Sequence, residues 1–491
     1  MNITVALDIG NSGGKVLAAT MDNGHLEILE ERTIPNVFVN INGFLYWDLF
    51  RIFRDLKEAM KEYSRLGDVI SIGIDGTCGS YGYINKNGRL AGQVSSSRDQ
   101  RFADWQKVTE QKIDLRSLYD RTGVYPMGSN VICKILCDLA HGDLVPGMDV
   151  TFAQLSLMLQ YFLTGEISVE RSMAGASVLM DREFHDWNYP LLEELGIPAS
   201  ILPRIAEPGE WGSLLRKEVA EETNCPNCRF VHTVEFDSST AAVSAPGLDY
   251  DQIYLSMGTT INPGVERKAP LINDLAWEFR YKNVPIWEES YLLLSDVPGF
   301  FLLSECLSAW KKEIPDLDYG DLILLAEKCE THAFLPIFDR RLMVKQPDMP
   351  EQVRAICRET GQEVPETIGE VTRVILESYA ATIAWSVGKL CRITGRDDYT
   401  CITAISGGSR NALLCQMIAD ASGYIVRAGD PKATCLGNLL VQFYAQGKLA
   451  SLKQMREEAA RICPMKEYEP RENEHLQKGL AYLTENGFLK K

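Results

Sequence analysis

A chain of 491 residues with 45% hydrophobic and 24% charged side chains has the make-up of a globular protein too long for one core, so two domains of roughly 200 residues or more are expected. Its formal net charge of −17 argues against nucleic acid or an anionic membrane as partner, because both demand clustered Lys and Arg. The opening MNITVALDIG has neither a basic region nor a long apolar core, and thirteen scattered cysteines read as reduced, buried thiols, which together point to the cytoplasm.

Residues 3–8 are a short β-rich run, and the turn of Gly10, Asn11, Ser12, Gly13 and Gly14 leads through Lys15 into a second run at 16–19, a hairpin with a glycine-rich tip. Such a tip is either an ordinary turn or a place where several backbone N–H groups converge on a phosphate. It is not a Walker A loop, since three residues rather than four precede the Gly-Lys pair and Val16 follows it. The spacing predicts an amphipathic helix over 48–66, with Phe53, Leu56, Met60 and Tyr63 on one face and Gly67 as its C-cap. A strand over 69–75 ends in the polar exit Gly76, Thr77, Cys78, Gly79 and Ser80, and ligands of open α/β sheets collect at such exits. The SSSRDQR stretch around Arg98 is either a solvated loop or a substrate contact. Helices are expected over 113–123, 131–139, 153–163 and 187–195, followed by a Pro/Gly loop over 205–212. Cys225 and Cys228 form a CPNC without the second ligand pair of a zinc site.

Residues 231–246 read VHTVEFDSSTAAVSAP; the first six are expected to be a buried strand ending at Asp237, and 238–242 open a helix. Asp237 is then either a helix N-cap or a working carboxylate. Its place at mid-chain, beside a boundary-like SAPGLD, favours the second. The hairpin pattern returns over 252–266, with Gly258, Thr259 and Thr260 at the turn. Two such units, one opening each half, suggest two related domains whose turns face one ligand. Further on, helices are expected over 300–310 and 368–390, a strand over 401–406 broken by Gly407 and Gly408, a helix over 411–421 ended by Gly423, a strand over 424–429, and a helix over 433–445 where Gly437 permits close approach.

The DIG turn, the IGIDGT strand exit, the lone Asp237, the MGTT turn, SGGSRN and KATCLGN together resemble the FGGY carbohydrate kinases of the actin-like ATPase superfamily. The likeness runs through almost the whole chain, including NGFLYWDL, ERSMAGASVLMD at 170–181, EPGEWGSL at 207–214 and the stretch 347–373; order and spacing carry it, not any one motif. The resemblance implies an α/β protein of two ribonuclease-H-like (actin-like ATPase) domains flanking a cleft, residues 1–245 mainly for sugar and 246–491 mainly for ATP. It implies ATP and Mg2+ as cofactors and phosphorylation of a ketose hydroxyl, L-rhamnulose first, with L-fuculose, xylulose or ribulose as alternatives.

Carried across position by position, Asn11, Ser12, Gly13, Gly14 and Lys15 match one phosphate loop of the family, and Gly258, Thr259 and Thr260 the other. Gly407, Gly408 and Asn411 match its adenosine side, Asp8 its magnesium carboxylate and Asp237 its general base. Thr77, Cys78, Gly79, Arg98, Phe236, Ser238 and Asp296 are the expected sugar contacts. Against the rhamnulose-phosphorylating members, Phe236 stands in place of His, Thr260 in place of Trp, and GTCGSYG in place of a Trp-Gly-Val-Asp stretch. The phosphate chemistry should survive these changes while the sugar contacts shift, since a buried sugar hydroxyl left unpaired costs about 1–3 kcal/mol. The rival expectation is an actin-like ATPase that polymerises or senses without phosphorylating sugar, which gives no reason for a carboxylate placed like Asp237. The pattern says nothing of oligomeric state.

Overall fold

Two sheets, each begun by a glycine-tipped hairpin, organise the computed structural model, which describes residues 1–10, 13–35, 38–145, 147–429 and 432–489. The first contains β1 (Asn2–Gly10), β2 (Gly13–Asp22), β3 (His25–Ile34), β4 (Asp68–Gly76), β5 (Trp211–Leu214) and β6 (Arg229–Val231), in the order β5-β6-β4-β1-β2-β3. The second contains β7 (Ile253–Met257), β8 (Thr260–Arg267), β9 (Lys282–Trp287), β10 (Ser290–Leu294), β11 (Ile402–Ile405), β12 (Val426–Ala428) and β13 (Lys466–Tyr468), in the order β9-β10-β8-β7-β11-β12-β13. Their centres repeat one arrangement. β1 pairs antiparallel with β2 and parallel with β4, and β7 pairs antiparallel with β8 and parallel with β11. β1 and β4 read as nearly unbroken apolar runs because they are covered on both faces.

The helices follow their predicted faces more closely than their predicted ends. In α1 (Leu49–Tyr63), Asp48 caps the start by accepting from Arg51 N at 3.1 Å, and Ile52, Leu56, Met60 and Tyr63 are buried. It stops at Ser64 rather than at Gly67. A Cβ on Gly67 would stand 2.2 Å from Met1 O, so that glycine serves close backbone approach instead of capping. The predicted helix over 153–163 is a strand, Val150–Gln154, turning into the helix Leu155–Thr164, and the loop over 205–212 holds Arg204–Ala206 and the start of β5. The predicted strand before Asp237 is cut short: β6 ends at Val231, and the chain runs on to α3 (Asp237–Val243) with an isolated parallel bridge of Phe236 to Gly76 on β4. Its backbone groups have other partners there, Glu235 N on Glu170 Oε2 at 3.0 Å and Phe236 N on Ser172 Oγ at 3.1 Å, both at the start of α2 (Arg171–Ala176).

α4 (Ile368–Thr394), opened by a Thr367/Glu370 capping box, forms the spine of the second core. α5 (Ala433–Ala445) follows β12 of the second sheet in sequence yet lies on β1 and β4 of the first, and crosses α3. Among the described residues no helix is long and apolar enough to cross a membrane. The α3–α5 crossing is as tight as backbone allows, since a Cβ added at Gly437 would meet Thr240 O at 2.1 Å. Gly437→Ala must force the two helices apart, and overpacking of this kind costs typically about 1–3 kcal/mol. A lowered urea midpoint is expected; an unchanged midpoint would show the crossing to be looser than described.

Candidate active site

Asp8 and Asp75 stand opposite each other in the parallel register of β1 and β4, one residue or two before each strand ends. Helix α5 holds both: Thr434 Oγ1 donates to Asp8 Oδ2 at 2.6 Å and Asn438 Nδ2 to Asp75 Oδ2 at 2.7 Å. The Oδ1 atoms of both carboxylates are buried without a hydrogen-bond partner among the described residues. Burial pushes both above the usual carboxylate range, Asp75 further because the charge of Asp8 adds to it, whereas Thr434 and the ammonium of Lys15 draw Asp8 back. Two desolvated carboxylates with unsatisfied oxygens are a donor set suited to a hard divalent cation such as Mg2+. Asp75 was missed in the sequence, although the signal was present: LDIG and GIDG end two neighbouring strands alike.

Asp237 occupies the first position of α3, with Phe236 as the N-cap residue, so it is not a cap. Its Oδ1 accepts from Ser238 N at 2.6 Å and Ser238 Oγ at 3.2 Å. The side chain stays half-buried and so reachable, yet the surrounding protein desolvates it and pushes it up to about 7, helped by the charge of Asp8 and opposed by Ser238 and the Lys282 ammonium. Lys282 is itself held on Asp296, with Nζ 3.0 and 2.9 Å from the two carboxylate oxygens, and Asn262 Nδ2 donates to Asp296 Oδ1 at 2.7 Å. Cys78 feels both Lys282 and Asp237, and burial pushes its thiol up to about 12, so it presents a neutral sulfur. Asp237, Cys78, Lys282 and Asp296 are therefore one electrostatic neighbourhood. Lys282 and Asn262 carry no motif and were not foreseen.

The other expected sugar contacts fall around this group. Thr77 is buried, with its N–H on Ile9 O at 3.2 Å, and Gly79 O accepts from the fully buried Lys134 ammonium at 2.7 Å. Phe236 is buried beside Asp237, and Ser238 O accepts from Tyr254 OH on β7 at 3.2 Å. Arg98 is exposed on its loop, its backbone N–H bonded to Ser96 Oγ at 3.2 Å.

Of the phosphate turns, Asn11 and Ser12 lie outside the described residues. Gly13 and Gly14 open β2, and Gly13 pairs with Gly10 across the tip. In the second turn Gly258 N donates to Thr260 O at 3.1 Å, leaving Thr259 half-buried and Thr260 exposed. Beside it Ser406 has φ +71°, a left-handed conformation costly for a residue with a side chain, held by its hydroxyl against Ser256 Oγ at 3.1 Å and by Ser409 Oγ on its carbonyl at 2.7 Å. Gly407 opens on empty space while Gly408 packs on Phe300 and Met257, and Asn411 caps the helix Ala412–Ser422 by accepting from Leu414 N at 3.0 Å. A strained, glycine-lined bend at a helix start is a backbone cradle that a nucleotide fits.

Residues 3–244 match the N-terminal domain model, and residues 253–446 the C-terminal domain model, of the FGGY family of carbohydrate kinases. The chain belongs to that family. Among relatives of this FGGY kinase, the rhamnulokinase of Bacteroides thetaiotaomicron is 29% identical over 469 residues, covering 95% of this chain and 96% of that protein. That of Bacillus subtilis is 27% identical over 473 residues, 96% of each. A xylulose kinase from Lactobacillus acidophilus superposes with a TM-score of 0.82 at 16% identity, over 99% of this chain and 98% of that one. A glycerol kinase from Plasmodium falciparum, solved with ADP, superposes with 0.80 at 16% identity, over 99% and 97%. The structural likeness establishes the fold, two α/β domains of the actin-like ATPase kind. The family establishes an enzyme that phosphorylates a carbohydrate.

For the FGGY kinase, the Asp8–Asp75 pair predicts a trade between stability and cation binding. Asp75→Asn removes one of two crowded charges in place and keeps an oxygen for Asn438, so the apoprotein should melt at a higher temperature at neutral pH. The same variant should need more Mg2+ to bind ADP tightly. Calorimetric ADP titrations at graded Mg2+, beside a melting curve, check both halves, and a variant that melts lower or binds as before contradicts the pairing.

Proposed function

We propose that this kinase transfers the γ-phosphoryl group of ATP to a hydroxyl of a ketose, with L-rhamnulose the first candidate and Asp237 the general base. The observation that carries the reading is the place of Asp237: reachable from outside, desolvated, poised near neutrality, and within the field of the Asp8 carboxylate. The near full-length likeness to proteins named rhamnulokinase supports the choice of sugar.

The ketose hydroxyl gives its proton to the Asp237 carboxylate as its oxygen bonds to the γ-phosphorus, ADP leaves, and Asp237 later returns the proton to solvent. Base assistance of this kind is worth roughly two to four orders of magnitude. Asp8 and Asp75 would hold the Mg2+ that accompanies ATP, whose chemistry is to neutralise charge on the phosphate oxygens. Backbone N–H groups of the 10–15 and 258–260 turns and of the 407–411 bend receive the nucleotide. Thr77, Cys78, Gly79, Arg98, Phe236, Ser238 and Asp296 form the sugar side. There Asp296 accepts and the Lys282 ammonium donates, so hydroxyls are read in donor–acceptor pairs.

A second reading, a different ketopentose or 6-deoxyketohexose, is favoured by that same wall. A phenyl ring at Phe236 and the GTCGSYG stretch with its neutral Cys78 thiol stand where the rhamnulose-phosphorylating pattern puts other groups, and hydroxyl recognition depends on each partner being matched. ADP release measured over L-rhamnulose, L-fuculose, D- and L-xylulose and D- and L-ribulose decides between them. Turnover independent of every sugar, or filament formation, would overturn the kinase reading of this site.

Asp237→Asn should lower kcat by at least ~100-fold while ADP binding stays intact; retained turnover removes the base. Because the carboxylate works only when ionised and its pKa is raised to about 7, kcat/KM of the parent should fall about tenfold per unit as pH drops below that value. In Lys282→Met the loss of the cation, and of the neutralised Asp296, leaves more negative charge facing the base. Its acid limb should therefore move to higher pH, with a raised KM for ketose and an unchanged KM for ATP, and a limb that stays put or moves down speaks against the coupling.

A further inference from the structure

Among the described residues the Asp237 side chain is anchored by its neighbour Ser238, and the segment before it keeps a one-residue bridge to the sheet, Phe236 with Gly76, so further contacts must fix its direction. The partners are in the ERSMAGASVLMD stretch, whose chemistry the phosphate and sugar sites leave unused. Glu170, Ser172, His232 and Glu235 are all at most 1% exposed. Glu170 Oε1 accepts from Ser172 N at 2.9 Å, and its Oε2 accepts from Glu235 N at 3.0 Å and from the Ser172 hydroxyl. The hydroxyl oxygen, oriented in this way, accepts from Phe236 N at 3.1 Å, one residue before the base. Behind it, Glu235 Oε1 meets His232 Nδ1 at 2.9 Å, His232 Nε2 meets Ser168 Oγ at 2.9 Å, and Ser168 accepts from Gln160 Nε2 at 3.2 Å.

The same short helix also holds the sugar loop. Gly76 N donates to Glu235 O at 2.8 Å where that loop begins. Gln154 Nε2 bridges Met173 O at 3.2 Å and Cys78 O at 3.4 Å, and Cys78 Sγ donates to Ala176 O at 3.7 Å. On its outer side Gly175 lies against Pro285 of β9, the strand that carries Lys282; a Cβ there would meet the proline ring at 2.7 Å.

We infer that α2 is the common mount of the catalytic base and the sugar loop, and that Ser172, oriented by Glu170, is a positioning residue that aims Asp237 by holding the Phe236 amide. The inference rests on Asp237 being the base. Two carboxylates buried face to face are a poor way to gain stability, since a well-packed apolar set of the same volume would do as well or better. They are a good way to fix a backbone amide, because Glu170, Ser172, His232 and Glu235 are joined by hydrogen bonds from Ser168 to Phe236 N, and a buried network so connected favours one arrangement. Burial, with Glu235 close by, pushes Glu170 up to about 8, which agrees with a carboxyl group held by geometry in an unfavourable place.

The test compares Ser172→Ala, Ser172→Thr and Asp237→Asn in the full-length enzyme with ATP and the most active ketose. Ser172→Ala, which loses the hydroxyl and adds no bulk, should lower kcat by ~10- to 100-fold, the usual loss for a reacting group displaced by about 1 Å, with both KM values and ADP affinity within about threefold of the parent. Ser172→Thr keeps the hydroxyl and crowds the core, so it should melt lower and yet retain kcat within about fivefold. A merely structural serine gives the reverse order, with Thr the more damaged in turnover, and that order, or a Ser172→Ala enzyme with the parent's kcat, overturns the inference. Should Ser172→Ala not fold, Glu170→Gln, which keeps the volume and loses one acceptor, must show the same fall in kcat alone. Asp237→Asn separates the two readings: if it stays active the base reading falls and this one with it, whereas an inactive Asp237→Asn beside a fully active Ser172→Ala refutes only the mount.

Discussion

A single polar seam between α5 and the central strands of the first sheet holds the rest of the site together. Thr434, Asn438, Gln442 and Gln446 recur every fourth residue, so they share one face of an otherwise apolar helix. Thr434 and Asn438 take the two acidic side chains, Gln442 Nε2 donates to Val5 O and to Asn438 Oδ1, each at 2.8 Å, and Gln446 Nε2 donates to Thr4 Oγ1 at 2.8 Å. Ser71 Oγ closes the set by donating to Gln442 Oε1 at 2.7 Å. Hydrogen bonds in so dry a place are directional and expensive to leave unmade, so the seam specifies one rotation and one height of α5 on β1 and β4. Since α5 also crosses α3 at Gly437, the position of Asp237 relative to Asp8 is a consequence of the seam. A helix late in the chain thereby sets the geometry of residues near its beginning.

That geometry is electrostatically unfavourable in the free protein. Asp8, Asp75 and Asp237 all lie where burial opposes ionisation, and the charge of Asp8 further raises Asp75 and Asp237. Apolar surroundings alone would leave them protonated and idle. The counterweights are local: a hydroxyl and an amide from α5, the N–H and hydroxyl of Ser238, and two ammonium groups, Lys15 on one side and Lys282 on the other. Lys282 is restrained in turn by Asp296, so its field reaches Asp237 from a fixed direction. A protein of net charge −17 can thus present a cationic influence to a phosphate and a sugar without any basic surface, because only the nearest charges survive screening.

What was legible in the sequence was what local rules determine. Both glycine-tipped hairpins, the strand exit at 76–80, the α5 span and the helix after Gly407 and Gly408 that ends at Gly423 follow from turn chemistry, β-rich runs and helix punctuation within a few residues. The family likeness needed only the order of such signals. What escaped was set by distant partners. The run 231–236 looks like strand because it is apolar and β-branched, but its amides are claimed by Glu170 and Ser172, more than sixty residues earlier. Gly67 looks like a cap, and its true neighbour is Met1 O. Asp75 was visible as a strand ending and not as a partner of Asp8, since parallel register is invisible in one dimension. The four-residue polar period of α5 was in plain view; its meaning depended on which sheet it would meet.

The two faces of the cleft also differ in how freely they could change in evolution. Nucleotide contacts proposed for the 10–15, 258–260 and 407–411 bends come largely from backbone, so side-chain replacement there, such as threonine at 260, leaves the N–H groups where they were. The sugar face proposed for this site is made of side chains: Cys78, Phe236, Lys282 and Asp296 each present a different atom if replaced. Behind that face stands the mount we infer, α2 with Glu170 and Ser172, whose hydrogen bonds go to the backbone at Glu235 and Phe236 and to Cys78. A scaffold of this kind lets the wall be rewritten residue by residue while the loop and the base keep their places.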